Sequence, residues 1–309
     1  MAADRAGTAA LSCKQAPLSC KQPRMEPTSS PATPELPVVP PPEKPWRLHR
    51  RFDRTGRLLG DAGMKRLEQA HVIVFGLGGV GSYAVEGLVR SGVGKLTVVD
   101  FDLVCVTNSN RQLHATTSTV GKPKAELMAA RCKTINPDVQ VTSIVDFYRE
   151  EQAEQLLAGP FDFVIDAIDN VKAKLNLLHN CLARGYPVVS SMGAAGRLDP
   201  TAIRVEDLCE THMDPFAKDI RKLLKRKYGH DTSKPTGITA VFSIEPRRDP
   251  QAVHYDEAHG GFMCVCPQGE NEFHSCEHRN QIDGSVAFVT SVFGMQMAGV
   301  VVRRVAQGR

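Results

Sequence analysis

The 309-residue chain is 42% hydrophobic and 23% charged, enough apolar surface to bury a substantial core. Its formal net charge of +4 falls far short of a nucleic-acid-binding module that works by bulk charge. The nine cysteines are mostly scattered one per predicted element, with neither a secretory leader nor an arginine-rich transit helix at the start, so a reducing, cytoplasmic setting is expected rather than a disulfide framework.

Residues 1 to 45 are rich in Pro, Ser, Thr and Ala, repeat LSCKQ at 11–15 and 18–22, and end in PELPVVPPPEKP. Such a segment cannot bury enough apolar surface to offset its ordering entropy, which predicts a disordered extension with a polyproline II tract. From residue 46 to 309 the pattern changes to short apolar runs alternating with helix-length segments. VIVF (72–75) leads through a glycine turn into a helix ending near Arg90, and KLTVVD (95–100) is followed by a long connection and a helix beginning near Lys122. QVTSIVDF, a short helix over EEQAEQLLA, FDFVIDAID, a helix over 171–184 and PVVSSMG come next. This β-α-β-α order predicts an α/β, Rossmann-like fold: a mostly parallel sheet with helices on both faces, and ligands at the carboxyl ends of its strands.

Beyond residue 200 a C-terminal elaboration is expected, in which strands IRVEDL and ITAVFSI bracket a charged helix over 215–229. The segment 286–302, VAFVTSVFGMQMAGVVV, carries no charge, but it sits at the short limit for a bilayer span and contains a glutamine, two glycines and hydroxyls. A helix buried in the core or at a dimer interface is the expected outcome.

GLGGVG places Gly76, Gly78 and Gly81 in the G-x-G-x-x-G spacing, with Gly79 between them, directly between a predicted strand and a predicted helix. Glycines there permit a tight turn and let backbone N–H groups at the helix start approach a phosphate. Asp100 ends the next strand, where a carboxylate can take ribose hydroxyls. This much fits NAD, FAD or ATP equally, and a glycine turn kept only for helix-sheet packing gives the same spacing.

The following stretch, DFDLVCVTNSNRQLH (100–114), discriminates. A dehydrogenase keeps its pyrophosphate intact, whereas an enzyme that transfers AMP must stabilise charge growing on departing pyrophosphate. Arg111 supplies a fork for phosphate, Asn108 a neutral donor and Lys124, in GKPKAE, a point charge. Asp169, in VIDAIDN at the end of the fourth strand, is placed to hold Mg²⁺ against those phosphates. Arg111, Lys124 and Asp169 are the expected catalytic set. Asp102 and Asn110 are left to hold the loop through local bonds.

The run GLGGVG, VVDFDLVCVTNSNRQ, VGKPKAE, INP, VIDAIDN and SSMGAAGRLDPT resembles the ubiquitin-activating-enzyme superfamily, whose MoeB and ThiF members adenylate carboxyl termini. Over about residues 48 to 309 it resembles more specifically the tRNA threonylcarbamoyladenosine dehydratase family. VTNSNRQLH, GAAGRLDPT and the absence of the paired Cys-x-x-Cys zinc motifs set this branch apart. The resemblance implies ATP-dependent adenylation of the carboxylate of threonylcarbamoyladenosine next to the tRNA anticodon, then ring closure with net loss of water. It also implies a homodimer, a sulfur-transfer partner of the cysteine desulfurase type, and a role for Arg51 at a partner subunit's phosphates. Competing readings are a MoeB-like activator of a small protein's C-terminus, an NAD oxidoreductase and an inactive nucleotide-binding scaffold.

Two further features stay open at this level. DPFAKDIRKLLKRKYG sets Lys218, Arg221, Lys222 and Lys225 at helical spacing, opposite Phe216, Ile220, Leu223 and Leu224; it reads either as a phosphate-tracking stripe for tRNA or as a solvated helix face. CVCPQGENEFHSCEH holds Cys264, Cys266, Cys276 and His278, which suit a tetrahedral zinc site, a reactive cysteine, or loop thiols without chemistry.

Overall fold

Seven strands make one sheet in the computed structural model, which describes residues 46–251, 253, 267 and 283–308. They are β1 (His71–Phe75), β2 (Lys95–Val99), β3 (Gln140–Ile144), β4 (Phe163–Asp166), β5 (Val188–Ser191), β6 (Ile203–Asp207) and β7 (Ile238–Ser243). Their order is β3-β2-β1-β4-β5-β7-β6. The first six pair in parallel, and β6 closes the edge antiparallel to β7. Chain direction across the sheet therefore switches between β1 and β4, the crevice at which open α/β sheets bind ligands.

The helices are α1 (Asp53–Gln69), α2 (Gly81–Ser91), α3 (Lys124–Ile135), α4 (Ala153–Leu156), α5 (Val171–Arg184), α6 (Pro215–Tyr228) and α7 (Ala287–Gln307). They cover both faces, which is why the central strands read as unbroken apolar runs. Ile73 and Phe75 share a cluster with Leu177 and Leu178 of α5 and Ile220 and Leu224 of α6. Strand alternation sends the equally buried Val72 and Val74 to the opposite face.

Local chemistry sets the element ends. Asn170 Oδ1 accepts the Ala173 N–H at 3.0 Å to cap α5, and Gly185 ends it at φ 71°. Asp214 caps α6 in the same way, with Pro215 at its first position and Gly229 in the left-handed conformation after it. The helix after β2 starts at Lys124 rather than at Lys122, because a residue before proline is pushed out of the helical region and Pro123 stays extended. The segment EEQAEQLLA forms a 3₁₀ turn, Glu150–Gln152, and only one turn of α-helix.

Sequence reading places no helix before β1, yet α1 runs 17 residues with a non-helical Gly60 at φ 67° inside it. Gly56, Gly60 and Gly63 dilute the apolar period that would have announced it. Helix α7 is long and apolar enough to cross a membrane by length and composition. In this fold its inner face packs against α2: a Cβ on Gly294 would overlap the Val80 carbonyl oxygen and stand 2.8 Å from Ala84 N, and one on Gly87 would stand 2.7 Å from Ala298 Cβ.

This close crossing leaves no room for a side chain. Gly294→Ala should destabilise the protein by about 1–3 kcal/mol, the usual cost of overpacking, read as a lower urea midpoint with an unchanged slope. An unaltered midpoint would contradict the contact.

Candidate active site at the switch point

The glycine turn following β1 is held by steric necessity. Gly76 takes φ 83°, and a Cβ there would lie 2.7 Å from Ala167 O on the turn after β4, while one on Gly81 would overlap Gly76 O. A Cβ on Gly79 would crowd Thr290 Oγ1 at 3.0 Å and Arg111 Cγ at 3.2 Å. Gly78 differs, since a Cβ would meet only Gln112 Nε2 at 3.8 Å. Protein packing does not require glycine at that position, whereas a phosphate drawn against the backbone does. Helix α2 opens with no side-chain cap; its Ser82 N–H turns back to Gly78 O at 3.2 Å, and the partial positive charge of a helix start favours an anion there.

Asp100, 8% exposed at the end of β2, binds this turn to the next strand. Its Oδ2 accepts the Leu77 N–H at 2.6 Å and its Oδ1 the Asp102 N–H at 2.8 Å. Burial pushes its carboxyl pKa up, against the pull of the Lys124 ammonium. Lys124, itself buried, donates to Asp102 Oδ2 at 2.7 Å. Burial disfavours its charge, but Asp100, Asp102 and Asp169 outweigh that and raise its pKa above the ordinary lysine value. Asp102 therefore serves as the counter-ion of Lys124, a larger task than the local loop bond expected of it.

Asn108 is buried in the 3₁₀ turn Val106–Asn108, and its Oδ1 accepts the Cys105 N–H at 3.0 Å. Arg111 Nη1 donates to Thr107 O at 3.0 Å and to Asn110 Oδ1 at 2.9 Å, while Asn110 Nδ2 donates to Ser285 O at 2.8 Å. Asn110 thus aims the guanidinium and ties the loop to the segment leading into α7. Asp169 is exposed beyond β4, within electrostatic reach of Lys124. The turn glycines, Asp100, Asn108, Arg111, Lys124 and Asp169 consequently gather at the carboxyl ends of β1, β2 and β4.

Arg51 stands apart from this group within the chain. Its Nη1 donates to Asn136 Oδ1 at 2.6 Å, in the connection that enters β3, at the opposite edge of the sheet. Cys264, Cys266, Cys276 and His278 lie outside the described residues. Among the described residues no cluster of three or more His, Cys, Asp or Glu side chains suits a metal ion. The thiols of Cys132 and Cys181 are buried, which raises the first to about 12 and the second higher still, so neither is a nucleophile.

Sequence reasoning missed the ion pair beneath the site. Lys174 Nζ, fully buried, donates to Asp166 Oδ2 at 2.6 Å, to Ser190 Oγ at 3.2 Å and to Ser191 O at 3.0 Å. The pair locks α5 to the ends of β4 and β5, just before Asp169. A signal was available: Lys174 falls on the buried stripe of α5 with Leu177, Leu178 and Cys181, where an apolar residue is the norm. His114 was also missed. It is buried with both ring nitrogens unpartnered, and burial, with Lys124 and Arg131, lowers its pKa to about 4, so it stays neutral beside the cationic groups.

Known proteins resemble this chain over most of its length. The ThiF family matches residues 52–308. A Bacillus subtilis protein named tRNA threonylcarbamoyladenosine dehydratase is 41% identical over 255 residues, 82% of this chain and 94% of the relative. The crystal structure of the Escherichia coli tRNA N6-threonylcarbamoyladenosine dehydratase with ATP superposes with a TM-score of 0.71 at 35% identity, covering 84% of this chain and 94% of that one. The same enzyme with AMP gives 0.72.

Stranding the buried carboxylate tests the framework beneath the site. Lys174→Met should cost about 3–5 kcal/mol in chemical denaturation, the usual penalty for leaving one buried charge unpaired. Adding Asp166→Asn should recover part of that loss; additive losses would argue against a coupled pair.

Proposed function

This chain belongs to the ThiF family, and on that premise we propose that it carries out the ATP-dependent dehydration of threonylcarbamoyladenosine in tRNA, next to the anticodon. The carboxylate of the modified nucleoside is adenylated, pyrophosphate leaves, and intramolecular attack on the activated carbonyl closes a ring and releases AMP. The observation that carries this reading is the convergence of Asp100, Asn108, Arg111 and Lys124 on the glycine turn, in a chain 41% identical to a dehydratase across 94% of that relative.

Each residue has a task that its position supports. The turn and the uncapped start of α2 receive the phosphates. Asp100 turns its carboxylate to the ribose while keeping its two backbone bonds, since four lone-pair sites exceed two N–H donors. A carboxylate is a poor electrophile, so adenylation requires that charge accumulating on the leaving pyrophosphate be stabilised in advance. Arg111, already aimed by Asn110, and Lys124, whose ammonium has three donors and commits one to Asp102, supply that stabilisation. Ring closure then gains from holding the attacking atom and the carbonyl in one molecule.

A single exposed carboxylate beside a phosphate site suits Mg²⁺, which binds through one or two carboxylates and keeps water and phosphate oxygens as its other ligands. Asp169 would hold it, and the ion would neutralise phosphate charge. Exposed Leu58, Phe288 and Met295 on α1 and α7 support a homodimer in which these apolar side chains are covered. Cys132, Cys181 and Cys209, free thiols, fit a cytoplasmic setting.

The basic stripe on α6 is part of this proposal in reduced form. Arg221 leaves it, since its Nη1 donates to Thr211 O at 2.6 Å, to Thr211 Oγ1 and to Leu208 O at 3.3 Å. Lys218, Lys222 and Lys225 remain exposed and support a path for the tRNA backbone.

Incubation with ATP and threonylcarbamoylated tRNA should remove one water mass from that nucleoside, as read by nucleoside mass spectrometry. No mass change with a competent substrate would overturn the assignment. Arg111→Ala should lower turnover by on the order of 10²–10³-fold with the melting temperature retained. Charge reversal at Lys222 and Lys225 should raise KM for tRNA and leave ATP binding intact; an unchanged KM would remove α6 from the tRNA path.

A further inference from the structure

Arg197 lies in the loop after β5, at the same edge of the sheet as the nucleotide site, and is 2% exposed. Its Nε and Nη1 are buried with no hydrogen-bond partner. A guanidinium with two nitrogens unpaired out of water is a costly arrangement for a protein to hold. Its surroundings do not relieve it. Asp214 and Glu245 are the nearby carboxylates, and both are engaged elsewhere. Asp214 accepts the Gly193 N–H at 3.0 Å and the Ala217 N–H at 3.1 Å. Glu245 accepts the Leu198 and Asp199 N–H groups at 2.9 and 2.8 Å, and Arg248 Nε at 3.3 Å.

The loop itself is pinned on every side. Gly196 N donates to Gly284 O at 2.8 Å, and Arg248 N donates to Gly196 O at 2.9 Å. Gly196 takes φ 70°, and a Cβ there would stand 2.8 Å from Arg247 Cγ. The backbone bonds are thus made while Nε and Nη1 of the side chain are left without partners. Burial, with Arg247 adding to it, also lowers the pKa of Arg197 against the opposing pull of Asp214 and Glu245.

The segment at 284–285 connects this loop to the phosphate-binding one. Gly284 O takes the bond from Gly196, and the next carbonyl, Ser285 O, takes the bond from Asn110, which in turn aims Arg111. The loops that carry Arg111 and Arg197 therefore both bond to one short stretch of backbone, through Asn110 and Gly196 respectively. We infer that Arg197 is the receptor for the substrate carboxylate, the anion that must be brought beside the α-phosphate and that completes the guanidinium's hydrogen bonding when it arrives. This assignment rests on the dehydratase reading above. A planar fork suits a carboxylate bidentately and turns one oxygen toward the nucleotide.

The full-length protein serves for the test, with Arg197→Gln and Arg197→Met compared with wild type. Equilibrium binding is measured for one tRNA with and without threonylcarbamoylation, and separately for ATP. Wild type should prefer the modified tRNA; both variants should lose about 10- to 100-fold of that preference, the worth of a charge-assisted hydrogen bond, and keep wild-type ATP affinity. Melting temperatures of the variants should equal or exceed that of wild type, because an unpaired buried charge is removed. Retained preference in the variants overturns the assignment, and so does a matching loss of ATP affinity, which would give Arg197 to the triphosphate. A melting temperature lowered by several degrees in both variants would make it a structural residue and likewise overturn the assignment. A wild-type protein that neither prefers the modified tRNA nor dehydrates it would instead defeat the functional reading on which this inference rests.

Discussion

A lysine with no access to water holds the active edge of this sheet together. Lys174 spans from α5 to the ends of β4 and β5 through Asp166, Ser190 and Ser191, and Ser190 Oγ adds a 2.6 Å bond to the same carboxylate. Desolvating both charges is expensive, and only full hydrogen bonding makes such a pair tolerable. An apolar pair of similar volume would hold the layers as well, but it would not fix direction. The ion pair sets the spacing between two strand ends to hydrogen-bond tolerance, and the turn that carries Asp169 and Asn170 starts from that fixed point.

Around this anchor the site is organised by two carboxylates and an amide that each hold a neighbour. Asp100 receives two backbone N–H groups, Asp102 balances Lys124, and Asn110 joins Arg111 to the approach of α7. The cationic groups are thereby held in place by the chain's own side chains, and pre-set charge of this kind is what makes electrostatic stabilisation of a transition state effective in general. His114, buried and neutral, fills space without placing a further positive charge near Lys124 and Arg131.

Much of this was legible in the residues. Alternating strand-length and helix-length segments announce the parallel sheet, and the helix over 171–184 matches because Asn170 and Gly185 mark both of its ends. That Asp100, Arg111, Lys124 and Asp169 gather beyond the strand ends was legible because each follows a strand of a parallel sheet. Pairings were not, since spacing says which residues can reach the site but not which partner each has. Lys124 looked like a bare point charge and is half of an ion pair; Arg221 looked like part of a stripe and is a brace for Thr211. Helix α1 stayed hidden behind its glycines, and Lys174 behind the assumption that lysines face solvent.

The contact between α7 and the glycine turn carries a consequence for how the molecule comes together. Gly79 meets Thr290, and Val80 and Ala84 meet Gly294, across a separation of some two hundred residues of chain. Closing so long a loop costs entropy that is recovered only when both surfaces are already shaped. The glycine turn therefore gains its packing against α7 only in the completed fold. ATP accordingly acts on this protein as a ligand of the whole native state, shifting its stability by mass action through a turn that only the distant helix makes firm.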